Sequence, residues 1–152
     1  MKNVILELRQ IVTDFNQKIN AIPDADFSAK PLPDKWSKKE VIGHLIDSAQ
    51  NNLRRFICGQ YEVPPPAITY QQDFWVDSNG YQYMNRPEIM QLWVLINGRI
   101  CAVLENMPEG NYSKQCNTGN LHTLEWLAAD YVKHMKHHIN QIISGSFNVV
   151  YP

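Results

Sequence analysis

The sequence predicts a single all-α domain over residues 1–152, an up-and-down bundle of four helices. Four stretches repeat apolar residues at steps of three and four, the spacing that places them on one face of an α-helix. Capping and stop residues lie at the ends of these stretches, and no convincing strand pattern occurs between them. A chain of about 150 residues can bury one core, and a bundle is the economical way to pair four amphipathic helices.

The first two helices are predicted at about residues 4–20 and 38–58. The second has a sharp start, because Ser37 and Glu40 form a capping box in which each side chain accepts a hydrogen bond from the other residue's amide. It stops at Gly59. Residues 22–35 hold three prolines without a helical period, so we expect an ordered connector there.

A long segment, residues 59–86, lies between the second and third predicted helices. It holds three consecutive prolines and six aromatic residues, Tyr61, Tyr70, Phe74, Trp75, Tyr81 and Tyr83. Long loops are uncommon in compact domains and often have a function. We expect a short helix at 71–76. Two roles remain open for the aromatic residues: a lid over a site, or packing against the bundle or a second subunit.

The third helix is predicted at about residues 87–107 and the fourth from about Leu124 onwards. Pro87 suits the first turn of a helix, and Gly145 ends the apolar period of the last one. The residues between these helices, 108–121, form a polar stretch that we expect to be a loop.

Charge gives no sign of a nucleic-acid or membrane partner, and cysteine usage favours a reducing compartment. Fourteen basic and fifteen acidic residues leave a net charge of −1 without any block of like charge, so neither nucleic acid nor an anionic membrane surface is indicated. No uninterrupted apolar run approaches the roughly 18–20 residues that span a bilayer. Three widely spaced cysteines, with no recognisable secretory signal, favour the cytoplasm.

Three of the five histidines lie in the last predicted helix. At about 100° per residue, His134 and His138 face inward one turn apart, whereas His137 faces water. Two imidazoles at this spacing can bind one ion, but buried core histidines give the same pattern. Met135 follows His134 where a zincin peptidase would have its glutamate base, so that class of enzyme is disfavoured.

A polar stripe runs along the surface of the second predicted helix, roughly opposite its apolar face. It includes His44, Ser48, Asn51 and Arg55. The stripe is either a solvated face or the wall of a cleft against the last helix. In the second case His44 supplies a third metal ligand, while Asn51 and Arg55 bind an anionic group of a substrate. Asp47, about one turn from His44, then orients an imidazole or acts as general base; its alternative is an exposed carboxylate.

Two histidine-bearing motifs resemble those of the DinB-like superfamily. They are WSKKEVIGHLIDS at residues 36–48 and HMKHHINQI at residues 134–142, and the resemblance covers about residues 27–143. Members of this superfamily are small four-helix proteins that include YfiT-like metal-dependent hydrolases, bacillithiol transferases and mycothiol-dependent isomerases. The resemblance implies a metal site at His44, His134 and His138, with no departure from the three-histidine pattern.

The resemblance further implies a divalent-metal-dependent enzyme, either a hydrolase or a transferase of a low-molecular-weight thiol such as bacillithiol. Three histidines leave at least one coordination position open, as in catalytic metal sites. Zinc is the first expectation, although nickel, manganese and iron also accept imidazole. The alternative is a non-enzymatic, DNA-damage-inducible stress-response module that binds an ion without turnover. A homodimer is expected in both cases.

Overall fold

The computed structural model, which describes residues 1–151, contains the four predicted helices and confirms the four-helix bundle. They are α1 (Lys2–Lys18), α3 (Lys38–Cys58), α5 (Arg86–Asn106) and α6 (Leu124–Ile142), with the short helices α2 (Asp24–Ser28) and α4 (Gln72–Asn79) between them. The capping box is formed as expected: the Glu40 amide donates to Ser37 Oγ at 3.1 Å, and the Ser37 amide donates to Glu40 Oε2 at 2.7 Å.

The four long helices depart from a strict up-and-down order. Their directions follow from pairs of neighbouring residues. Between α3 and α6 these pairs are His44 with His138 and Gly59 with Leu124. Between α1 and α6 they are Met1 with Glu125 and Glu7 with Lys136, and between α1 and α5 they are Arg9 with Glu105 and Ile19 with Arg86. Helix α1 is therefore parallel to α6 and antiparallel to α5, and α3 is antiparallel to α6. Consequently α3 and α5 run in the same direction, and the expectation that each helix reverses the one before it is corrected here.

The parallel run of α3 and α5 explains why the segment between them is long. The chain leaves α3 at one end and must return past a 21-residue helix, about 30 Å, before α5 can begin. Residues 59–85, which we call the crossover, make this return along α3. Arg55 near the end of α3 donates to the Ile68 carbonyl, and Ser37 before its start donates to Gln82 Oε1.

The crossover packs on the bundle and also forms part of a cleft. Tyr81 is buried against α3, whereas Phe74 and Tyr83 remain exposed. Gln72 and Asp73 of α4 line the cleft described below. The short helix expected at 71–76 is present and extends to Asn79.

Two elements inside predicted loops were missed. The polar stretch 108–121 leads into a two-stranded hairpin of β1 (Gln115–Asn117) and β2 (Leu121–Thr123), in which Cys116 pairs with His122. Strands of three residues are too short to show an alternating pattern, so the sequence offered no signal for them. Helix α2 lies within the proline-containing connector.

Helix α5 has the length and composition of a membrane-spanning helix, but it packs as a core helix of the bundle. Its residues Ile89, Trp93 and Ile100 are fully buried in the single hydrophobic core. Phe15 of α1 contacts Trp93 edge-on, with ring centroids 5.4 Å apart.

Candidate metal centre

The three histidines predicted as metal ligands come together between α3 and α6. Nε2 of His44 lies 3.2 Å from Nε2 of His134, and one ring nitrogen from each of His44, His134 and His138 lies within 4.8 Å of the others. Two imidazole nitrogens bound to one tetrahedral ion at the usual zinc distance would be about 3.3 Å apart. The donor set and its spacing therefore fit a divalent metal ion.

Burial keeps these imidazoles in the form that binds metals. Burial, with a smaller contribution from neighbouring histidines, lowers the pKa of His44 to about 3 and that of His134 to about 2. The pKa of His138 is lowered as well, chiefly by burial. At neutral pH all three rings are uncharged, so each has a lone pair available for an ion.

The ring nitrogens that face away from the centre are held in different ways. Nδ1 of His138 donates to Gln141 Oε1 at 2.9 Å, which leaves Nε2 of His138 free to accept. Nδ1 of His134 has a longer contact of 3.5 Å with Ser48 Oγ. Nδ1 of His44 is buried and has no hydrogen-bond partner among residues 1–151.

A cleft of about 1100 Å³ opens beside His138. Residues of α2, the connector after it, the start of α3, α4 and the end of α6 line it. Its charged residues are Lys30, Lys35, Lys38, Asp26, Asp34, Asp73 and Asp77. Trp36 also lines the cleft, and its ring centroid is 5.0 Å from that of the buried His44. A small molecule in this cleft would reach the histidines from the His138 side.

Asp47, expected to orient an imidazole or act as a base, instead bonds to the crossover. Its Oδ1 accepts hydrogen bonds from Tyr81 Oη at 2.7 Å and from Asn79 Nδ2 at 3.0 Å, and the residue is fully buried. Burial raises the pKa of Asp47 to about 6, although the Tyr81 hydrogen bond opposes the rise. Within the described residues its carboxylate makes no hydrogen bond to a histidine, so the expected contact is not formed.

Asn51 and Arg55, expected to bind a substrate anion, also have hydrogen-bond partners within the protein. Asn51 Nδ2 donates to the Asp47 carbonyl at 2.9 Å. Arg55 donates to the Ile68 carbonyl through Nε and Nη2, at 3.1 and 2.8 Å, and its Nη1 is 3.3 Å from Asn52 Oδ1. The geometry thus shows Arg55 anchoring the crossover and Asn51 bonded to its own helix.

Two residues beside the centre were not singled out from the sequence. Gln141 follows His138 at a spacing that makes helix residues neighbours, so this contact was accessible to sequence reasoning. Tyr151 lies beyond the last helix, and its ring centroid is 5.4 Å from that of His134. The segment that contains Tyr151 has no period or motif that could have placed it there.

Comparisons with known sequences find one family and two curated relatives. The chain matches the DinB superfamily over residues 7–142. It is 23% identical over 138 residues to the "Putative metal-dependent hydrolase YfiT" of Bacillus subtilis (strain 168), an alignment that covers 89% of this chain and 78% of the relative. A "Putative metal-dependent hydrolase" of Geobacillus thermodenitrificans (strain NG80-2) is 22% identical over 147 residues, covering 95% of this chain and 83% of the relative.

Solved structures show the same fold. YfiT from Bacillus subtilis, described as a probable metal-dependent hydrolase with an unusual four-helix bundle topology, superposes with a TM-score of 0.83 at 23% identity, covering 93% of this chain and 82% of that one. The mycothiol-dependent maleylpyruvate isomerase gives a TM-score of 0.68 at 13% identity, with 91% and 59% covered. Because the family match extends over most of the sequence, this chain belongs to the DinB superfamily.

Proposed function

We propose that the protein is a divalent-metal-dependent enzyme that acts on a small molecule, with His44, His134 and His138 as the metal ligands. The observation that carries this proposal is the convergence of three neutral imidazoles beside an open cleft. Three ligands from the protein leave room in the coordination shell for water or substrate. The relatives named as metal-dependent hydrolases support the same class of chemistry.

A bound divalent ion would lower the pKa of a water or thiol and so supply a nucleophile near neutral pH. The residues of this chain prepare the site for that ion. Burial keeps His44 and His134 unprotonated. Gln141 Oε1 accepts a hydrogen bond from the protonated Nδ1 of His138 and thereby selects the tautomer whose Nε2 can bind metal. The hydrogen bond between Asp47 and Tyr81 holds the crossover, one wall of the cleft, against α3.

Hydrolysis is the first reaction in this proposal, and transfer of a low-molecular-weight thiol is the second. Thiol chemistry is favoured by the structural likeness to a mycothiol-dependent isomerase. The lining of the cleft carries charges of both signs. Lys35 and Lys38 are positive, and Asp73 and Asp77 are negative. A polar molecule that carries both an amine and a carboxylate would complement such a surface.

The proposal places the enzyme in the cytoplasm as a homodimer. Zinc is the first metal proposed, and nickel, manganese and iron are the alternatives. Cys58, Cys101 and Cys116 are free thiols, which suits a reducing compartment. The near-neutral net charge of −1 is consistent with a small-molecule substrate rather than nucleic acid or a membrane surface.

Elemental analysis of protein purified without an affinity tag tests the metal site. We expect one divalent ion per chain in the wild type, loss of the ion in His134→Ala, and full occupancy in His122→Ala. His122 is the matched control because it stacks on Trp126, away from the centre. A folded wild type that binds no divalent ion would contradict the proposal.

A screen for turnover tests the enzymatic part of the proposal. Ester, amide and electrophilic substrates would be offered to metal-loaded and metal-free protein, with and without low-molecular-weight thiols. We expect turnover that requires metal, and dependence on a thiol would identify the transfer reaction. Stoichiometric metal without any turnover would instead favour the non-enzymatic stress-response module.

A further inference from the structure

The C-terminal segment, residues 143–151, folds back onto α6 beside the metal centre. Asn140 of α6 joins it through two hydrogen bonds, since its Nδ2 donates to the Phe147 carbonyl and its Oδ1 accepts from the Phe147 amide, both at 2.9 Å. Ser146 Oγ also donates to the Ile143 carbonyl at 2.7 Å. These bonds set the path of the chain after the helix ends.

Tyr151, near the end of this segment, lies on the face of α6 that bears His134. Its ring meets the His134 ring edge-on, with centroids 5.4 Å apart, and its centroid is 5.6 Å from that of His137. The Tyr151 hydroxyl donates to Asp130 Oδ2 at 3.2 Å. Lys133 Nζ lies 5.9 Å from the centre of the same ring. One aromatic ring therefore covers α6 from Asp130 to His137.

The contact between the Tyr151 and His134 rings matters because the hydrogen bond between Ser48 and His134 Nδ1 is weak. Metal-binding histidines are usually oriented through their second ring nitrogen. His138 has a short bond of this kind to Gln141, but the contact of His134 Nδ1 with Ser48 Oγ is 3.5 Å, at the limit of a hydrogen bond. The ring of Tyr151 packs edge-on against the His134 ring, whose Nδ1 lacks a strong hydrogen bond.

We propose that Tyr151 is a positioning residue of the metal centre, which holds the His134 ring in its ligating orientation and closes the α6 side of the centre against water. This inference rests on the proposed metal-binding function. The cleft lies on the His138 side and is lined by the connector and α4, so the segment leaves the substrate path open. A bound ion should consequently leave more slowly than it would without the ring.

The rate at which Co²⁺ passes from the protein to excess EDTA tests this inference, followed by the cobalt absorption bands. Removal of an outer-shell partner typically weakens metal binding on the order of 10–100-fold, and we expect Tyr151→Ala to release the ion at least about 10-fold faster. Asn140→Ala should also speed the release of Co²⁺. It removes the hydrogen bonds that hold the C-terminal segment on α6, although the Tyr151 side chain itself is unchanged. Tyr151→Phe keeps the packing and should release Co²⁺ at nearly the wild-type rate.

Tyr83→Ala is the matched control, since Tyr83 is 92% exposed and lies outside the centre, and it should leave the rate unchanged. Thermal unfolding of each metal-free variant identifies any loss of fold. Wild-type release rates in both Tyr151→Ala and Asn140→Ala would overturn this inference and leave the metal site intact. Release from Tyr151→Phe as fast as from Tyr151→Ala would contradict the role given to the ring. A wild type that binds no Co²⁺ would overturn the proposed function and this inference together.

Discussion

Tyr81 and Asp47 join the crossover to α3 through a buried hydrogen bond in which Tyr81 Oη donates to Asp47 Oδ1 at 2.7 Å. The two side chains are 2% and 0% exposed. Asp47 belongs to the same helix as His44, and Tyr81 belongs to the segment that carries one wall of the cleft. The bond therefore ties the position of that wall to the helix that carries His44, a proposed metal ligand.

Removal of the Tyr81 hydroxyl should destabilise the fold. Tyr81→Phe leaves the ring in place but takes the donor from a buried carboxylate, which typically costs about 1.5–3 kcal/mol. The free energy of unfolding in urea measures the change. Tyr83→Phe is the control, because Tyr83 is exposed and its hydroxyl should matter little. Equal stabilities for the two variants would show that the bond contributes nothing.

The contribution of Asp47 to stability should fall as the pH rises. Its pKa is raised from 3.8 to about 6 in the folded protein, so between these values the folded state binds more protons than the unfolded state. Ionisation therefore costs stability, by roughly 2–3 kcal/mol once the pH exceeds the folded pKa. Asp47→Asn abolishes this titration.

Urea unfolding of metal-free wild type and Asp47→Asn at about pH 4.5 and pH 7.5 checks this expectation. The difference between the two proteins at each pH isolates Asp47 from the buried histidines, whose lowered pKa values act in the opposite direction. We expect the wild type to lose stability relative to the variant at the higher pH. A constant difference would contradict the raised pKa.

Gly43 should tolerate no side chain, because Tyr81 packs directly on the backbone of α3. A Cβ at Gly43 would lie 2.1 Å from Tyr81 Cδ2 and 2.3 Å from Tyr81 Cγ. We expect Gly43→Ala to destabilise the protein by about 1–3 kcal/mol, as overpacking does in other cores. The measurement is the midpoint of thermal or urea unfolding.

Gly98→Ala provides the matched control for that experiment. Gly98 is exposed within α5, and apart from its chain neighbours and the backbone of its own helix no atom lies within 4 Å of the place a Cβ would take. Alanine should therefore stabilise α5 by about 0.5–1 kcal/mol through the lower entropy of the unfolded chain. A loss of stability in both variants would contradict the view that the contact with Tyr81 is what distinguishes Gly43 from Gly98.

Loss of the Gln141 side chain should weaken metal binding without unfolding the protein. Gln141→Ala removes the acceptor that selects the His138 tautomer, and such partners typically change metal affinity by 10–100-fold. Competition titration of Zn²⁺ against a chelator dye measures the affinity. Gln91→Ala, on the exposed face of α5, should bind Zn²⁺ as the wild type does.

The sequence by itself determined the four long helices and two of the three histidines of the candidate centre. Apolar periods and the Ser37–Glu40 capping box are local signals, and each survives in the structure because a helix forms its hydrogen bonds within one segment. The same locality places His134 and His138 one turn apart. The role of His44 as their partner came from the paired motifs, and its convergence with them is seen in the fold.

Only the tertiary structure decided which surfaces meet. The parallel course of α3 and α5 converts the aromatic segment into a crossover. That crossover bonds to Asp47, which was expected to orient an imidazole or act as a base, and to Arg55, which was expected to bind a substrate anion. Tyr151 reaches His134 by the path of the chain after α6 ends. These outcomes depend on contacts between residues distant in the chain, and no period or cap within one helix encodes which partner will cover its polar face.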